Sequence, residues 1–132
     1  MRFVKPKCYA FVADAPKTTS LRDAAHQFNT FISEKNSGLV LYHDHFVDQP
    51  GAFAIFYVES ESELEDLETH QSLKDWNVKV HPLTFTEKPV EMLYQTDFTM
   101  GIYRGQRLRD LVKSYIGSDY EKNVDDNVGK GQ

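Results

Sequence analysis

The stretch 39–58 constrains the fold most. It reads Leu39-Val-Leu-Tyr-His-Asp-His-Phe-Val47, then Asp48-Gln-Pro-Gly51, then Ala52-Phe-Ala-Ile-Phe-Tyr-Val58. Two strand-length apolar runs joined by four turn-forming residues make a β-hairpin, because so short a connection leaves room for antiparallel pairing and little else. A helical pattern flanks this hairpin on each side. Upstream, Ser20 can cap a helix with Asp23 three residues on, and Leu21, Ala24, Ala25, Phe28, Phe31 and Ile32 recur at helical spacing until 35–38 stops it. Downstream, 59–76 reads as one helix. Ser62 and Glu65 carry its capping signature, and Leu64, Leu67, His70 and Leu73 form its buried stripe. Six acids between Glu59 and Glu68 fit a solvated face near a helix N-terminus.

Two further strand-like runs lie outside the helices, 7–13 and 77–85, the latter broken by Pro82 as an edge strand would be. The order is β-α-β-β-α-β. Two right-handed crossovers that share a hairpin give a four-stranded antiparallel sheet with both helices on one face, the ferredoxin-like arrangement of an α+β protein. After Pro89 the pattern changes. The stretch 92–103 reads as a short strand of weak alternation, and 105–116 as a helix presenting Leu108, Leu111, Val112, Tyr115 and Ile116. The polar stretch 118–132 reads as a flexible tail. The expected organisation is a ferredoxin-like barrel domain over 1–88, a C-terminal extension over 89–117 that packs on the same domain or on a dimer partner, and the tail.

Composition excludes several classes. A chain of 132 residues is one domain of ordinary size, and 15 Lys+Arg against 20 Asp+Glu argues against nucleic-acid binding, which needs clustered cations. Cys8 is the sole cysteine, so neither an internal disulfide nor a multi-cysteine zinc site can form. No apolar run approaches membrane-spanning length and the start lacks a signal-peptide pattern, so the expectation is a cytoplasmic protein with neither nucleic-acid nor membrane partners. No P-loop, dinucleotide fingerprint, H-E-x-x-H or G-x-S-x-G pattern occurs.

A sheet with helices on one face leaves the other bare. Sorting by size puts the small Cys8, Ala10 and Val12, with Ala52, Ala54, Phe56 and Val58, against the helices. That leaves Tyr9, Phe11, Phe53, Ile55 and Tyr57 on the open face, joined by Leu39, Leu41, His43 and His45 from the second strand and Lys79, His81, Leu83 and Phe85 from the fourth. So apolar a face needs a cover, either the C-terminal segment or a second copy, and two sheets face to face would enclose a cavity of Tyr, Phe and His suited to a small molecule.

The chain resembles the dimeric α+β barrel superfamily, and within it the antibiotic-biosynthesis-monooxygenase-like proteins. The resemblance rests on the element order over 7–85, on Pro50-Gly51 leading into Phe53-Ala-Ile-Phe-Tyr57 and Glu59-Ser60, and on Leu67-Glu68-Thr69-His70 with Leu73-Lys74 after it. It implies a homodimer with a pocket between sheet and helices. It also implies activities ranging from cofactor-independent oxygenation of aromatic or quinol substrates to haem breakdown and isomerisation. The first strand lacks the Asn of the haem-degrading branch, and the segment after Pro89 departs from the short barrels.

Three readings stand open at this point. In the first, a homodimer binds a small aromatic molecule and oxygenates it without a cofactor, with His43, His45, His70 or His81 as the base and Tyr9, Phe11, Phe53, Tyr57 and Trp76 lining the pocket. Trp76 also reads as an anchor of the second helix, and His70 as a packed helix residue. In the second, the dimer binds a ligand or partner without catalysis. In the third, His43 and His45, two apart on a strand and so on one side of it, hold a divalent metal. Cys8 reads as a small core residue, and Arg104, Arg107 and Arg109 as a solvated or salt-bridged basic cluster with an anion site as the alternative.

Overall fold

A computed structural model of the protein describes residues 5–84, 86 and 88–116. It is an α+β structure. Its elements are β1 (Lys7–Asp14), α1 (Leu21–Ile32), β2 (Leu39–His45), β3 (Gly51–Val58), α2 (Glu61–Thr69), a 3₁₀ turn (Gln71–Leu73), β4 (Asn77–Pro82), α3 (Glu91–Arg104) and α4 (Leu108–Ile116). The four strands form one sheet in the order β2-β3-β1-β4, and every neighbouring pair is antiparallel. The chain divides into two compact units, one ending at Glu91 and the other beginning at Met92. The tail expected over 118–132, the helix stop at Gly117 and the position of Phe85 lie outside the described residues.

Ser20 caps α1 as its sequence requires, accepting from the Asp23 N–H at 3.0 Å. The capping box of α2 sits two residues before the expected one. Ser60 accepts from the Glu63 N–H at 3.1 Å while the Glu63 carboxylate accepts from the Glu59 N–H at 2.8 Å. The repeated Ser-x-x-Glu spacing offered both frames. The helix expected through Trp76 stops at Thr69, because His70 takes the left-handed conformation at φ 38°. Leu73 nonetheless reaches the core, 1% exposed, from the 3₁₀ turn beyond.

The first unit is built around phenylalanines. Phe11 of β1 lies 5.2 Å from Phe31 and 6.0 Å from Phe28 of α1, and 5.6 Å from Phe56 of β3, measured between ring centres. Trp76 stacks on Phe28 at 6.1 Å and donates its indole N–H to Gln27. Leu64 and Leu67 of α2 join the same cluster.

This core reverses the expected facing of β1. Phe11 pairs with Ala54, Tyr9 with Phe56 and Ala13 with Ala52, so Tyr9, Phe11 and Ala13 face the helices while Cys8, Ala10 and Val12 face away. Size sorting failed for a packing reason. Directly opposed residues on neighbouring strands stand about 5 Å apart, so the small Ala54 leaves room for the Phe11 ring to reach Phe28, Phe31 and Phe56. The β3 facing holds, as does that of Lys79 and His81 in β4, with Val78 and Val80 packed on the core; β4 ends at Pro82, before Leu83. In β2 a bulge between Val40 and Tyr42 flips the parity, so Tyr42 and Asp44 share the open face with Leu39, and His43 and His45 do not.

The second unit corrects another expectation. Residues 92–103 form helix rather than strand. Glu91 accepts from the Lys88 N–H at its start, and Gly105 ends it at φ 64°, with Gly105 N–H bonded to Gly101 and Gln106 N–H to Met100. The α4 start is held by Asp97, whose carboxylate accepts from the Leu108 N–H at 2.8 Å and from two nitrogens of Arg107. The Arg cluster read from sequence is thus salt-bridged at Arg107. The Arg107 side-chain hydrogen bonds, and then that of the Leu108 N–H, hold the Asp97 carboxyl below its usual range.

Two outcomes follow. Phe11→Ala destabilises the fold by about 3–5 kcal/mol in denaturant titration, whereas Val12→Ala costs about 1 kcal/mol or less; the reverse ranking would restore the expected facing. Because the folded-state pKa of Asp97 is depressed, its contact with α4 is fully formed above the ordinary carboxylate range, near 4. It is lost as pH falls through the lowered value, and amide exchange at Leu108 reads the loss.

Candidate functional site

The residues singled out from sequence divide between the two faces of the sheet. Tyr9, Phe11, His43, His45, His70 and Trp76 lie on the helix side; Phe53, Tyr57 and His81 lie on the open side. Placing Tyr9, Phe11, His43 and His45 on the open face is therefore overturned, by the β1 packing and the β2 bulge.

On the helix side the aromatic rings fill the layer that a pocket between sheet and helices would occupy. Phe11 and Phe28 are fully buried, and Trp76 is 6% exposed. Two histidines edge this layer. His45 meets Phe28 at 6.0 Å, and its Nε2 lies 3.1 Å from Asn29 Oδ1. An amide oxygen only accepts, so Nε2–H donates and Nδ1 is left as the acceptor. That Nδ1 is buried and has no hydrogen-bond partner, as is Nδ1 of His70, whose ring meets Phe11 edge-on at 6.3 Å. These imidazoles pack as aromatic lids on the core. His43 and His45 do share one side, their ring centres 5.4 Å apart. Among the described residues, no group of three His, Cys, Asp or Glu is placed to hold a metal ion.

Three cross-strand rows of the open face run from β4 through β1 and β3 to β2, beside a terminal row of Asn77, Asp14 and Gly51. One is Lys79, Val12, Phe53, Asp44; the next is His81, Ala10, Ile55, Tyr42; the last is Cys8, Tyr57, Leu39, its β4 position beyond the paired register. Small residues run along β1 and bulky ones along β3, so a shallow apolar channel lies beside an apolar ridge. Ala10, Val12, Phe53, Ile55 and Tyr57 are half-buried, while Leu39 and Tyr42 are more than half exposed. Tyr42 and Phe53 pack at 6.4 Å, and the Tyr42 hydroxyl donates to Asp44. Burial first, then the Glu59 carboxylate, pushes the Tyr57 hydroxyl up, which keeps it a donor. Cys8 closes one end of the channel. It is fully buried, as expected, although on the opposite face from the one expected.

Elsewhere in this unit a cleft of about 200 Å³ touches Trp76 and is lined by Thr19, Gln27, Gln71, Lys74 and Asp75. Its walls are polar and offer no aromatic ring besides the indole. No helix among the described residues is long and apolar enough to cross a membrane. No protein-family model and no curated protein matches the chain.

The row order is what sequence reasoning missed. It depends on a bulge that leaves no mark in the run Leu39 to His45, and on which side of β1 meets α1. Burial first, then the Glu91 carboxylate, pushes the Cys8 thiol up, against a smaller opposing effect of Lys7. Cys8 should therefore resist an aromatic disulfide reagent at pH 8.5, where an exposed thiol is about half ionised, and react promptly once denaturant is added. Fast reaction of the folded protein would contradict its burial.

Proposed function

We propose that the chain works as a non-catalytic homodimer of the dimeric α+β barrel type, whose open sheet face binds a second copy of the same chain. The strand order β4-β1-β3-β2 and the β-α-β-β-α-β sequence of elements support the ferredoxin-like reading of the fold. The observation that carries the dimer is the open face itself, where Val12, Phe53, Ile55, Leu39 and Tyr42 form a continuous apolar patch on one side of a thin α+β layer. Such a patch is typical of an interface, and a symmetric pair covers it twice with one solution. Binding is favoured over turnover because this chain's own phenylalanines fill the helix-side layer, and the candidate bases are split between two faces.

A second reading keeps the oxygenase activity. Tyr57, held protonated, and His81 share the open face, where an aromatic or quinol substrate between two copies would meet a hydroxyl donor and an imidazole base. His81→Ala would then abolish turnover on a quinol panel, and unchanged rates remove this reading. The metal reading has its own check: elemental analysis of protein purified without a histidine tag, where less than stoichiometric metal removes it.

For the main reading, sedimentation equilibrium of the full chain at micromolar concentration should report a dimer. Ile55→Asp, which puts a charge at the centre of the patch, should report a monomer with an unchanged far-ultraviolet circular dichroism spectrum. A monomeric wild-type chain, or an Ile55→Asp dimer of undiminished affinity, overturns the proposal.

A further inference from the structure

We infer that the two copies meet with their two-fold axis parallel to the strands, so that Lys79 of each chain pairs with Asp44 of the other. This rests on the reading of the open face as the self-association surface and adds the register.

The argument begins with where charge sits. Lys79 and Asp44 occupy the two edges of one row, on β4 and β2, and both are exposed. The remaining positions of these three rows carry no formal charge when His81 is neutral; the terminal row brings Asp14 onto the same face, between Asn77 and Gly51, where its carboxylate accepts from Gln49. Two sheets that pack face to face keep their strands within about 30° of each other, and a two-fold axis between them can run along the strands or across them. An axis along the strands sets β4 over the partner's β2 and β1 over the partner's β3, and it keeps each row facing the same row. Lys79 then faces an Asp44 carboxylate at both ends of the interface. An axis across the strands keeps β4 over β4 and exchanges the outer rows, so that Lys79 and Asp44 both lose an oppositely charged neighbour.

Shape gives the same answer independently. With the axis along the strands, the β3 ridge of one copy lies over the β1 channel of the other, Phe53 above Val12 and Ile55 above Ala10. With the axis across them, channel lies over channel and ridge over ridge, which leaves a gap beside a clash. Sheet separations near 10 Å are spanned by the long Lys79 side chain meeting the short Asp44 one. The middle row places His81 over Tyr42. The face is thus complementary to itself in one orientation.

The test uses the full chain in Lys79→Glu, Asp44→Lys and the doubly reversed Lys79→Glu/Asp44→Lys form, with dimer dissociation constants from sedimentation equilibrium at low salt. Each single reversal places like charges at both symmetric contacts and should weaken the dimer by about tenfold or more. The double reversal restores both pairs and should return the constant to within about threefold of wild type. Raising the salt should narrow all these differences, since exposed pairs are screened within about 10 Å at 0.1 M. Should a reversal perturb folding, the neutral variants Lys79→Gln and Asp44→Asn carry the same test with smaller losses. Singles without effect, or a double no tighter than the singles, overturn the register while leaving the dimer standing. A wild-type chain that stays monomeric overturns the dimer itself.

Discussion

Phe11 sets the architecture of the first unit. It sits on a central strand and meets a ring from α1 twice, a ring from β3 once and the His70 imidazole at the end of α2. Burying a side chain of this size is worth a few kcal/mol, and aromatic pairs add to that by their geometry. Turning it outward would forfeit all four contacts together. The facing of β1 is therefore fixed, and with it the facing of every residue paired to β1. Val12 and Ala10 are on the open face because Phe11 is not.

That dependence explains which parts of the fold were legible. The hairpin, both flanking helices and the element order follow from turn residues and from periodicity, which are local. The facing of Lys7 to Ala13 is not local, since apolar residues occur at nearly every position there and either side can serve as the inner one. Side-chain size does not decide it, because the core side of the sheet holds the rings of Phe11 and Phe56 together with the small Ala13, Ala52 and Ala54. The same limit applies to His43 and His45. Their shared side was readable from the spacing, whereas which side they share depends on a bulge that the run Val40 to Tyr42 does not announce. Residues 92–103 failed in the opposite sense. Glu91 and Gly105 carry the start and stop signals of this helix, and the weak alternation between them does not distinguish strand from helix.

The two faces of the sheet divide the labour of the aromatic residues. On the helix side they saturate the core, and the histidines that reach it do so as rings, with Nδ1 of His45 and His70 left without partners. Such burial of an unpartnered ring nitrogen costs about 1–3 kcal/mol each, and it is compatible with a layer whose stability comes from ring contacts elsewhere. On the open side the aromatic and aliphatic groups are arranged with channel beside ridge. A sheet face destined for solvent would alternate polar residues there, since nothing in strand geometry prevents it. The charged and imidazole groups of this face stand instead at its margins, Lys79, His81 and Asp44 on the edge strands and Asp14 at the end of β1, in the manner of an interface with an apolar centre and a charged rim.

A charged rim contributes little to affinity by itself, because exposed pairs are worth a fraction of a kcal/mol to about one. Its consequence is selection among orientations. The apolar centre alone would accept two sheets in more than one rotation, since hydrophobic burial is not directional. Opposite charges at the two ends of one row penalise each rotation that leaves them unpaired or sets like charges together, and the ridge-and-channel profile penalises the same rotations by packing. Two weak terms that agree on one geometry specify it better than a single strong term that tolerates several. In the proposed dimer the edges of the sheet, although far from its buried centre, are therefore what selects one orientation.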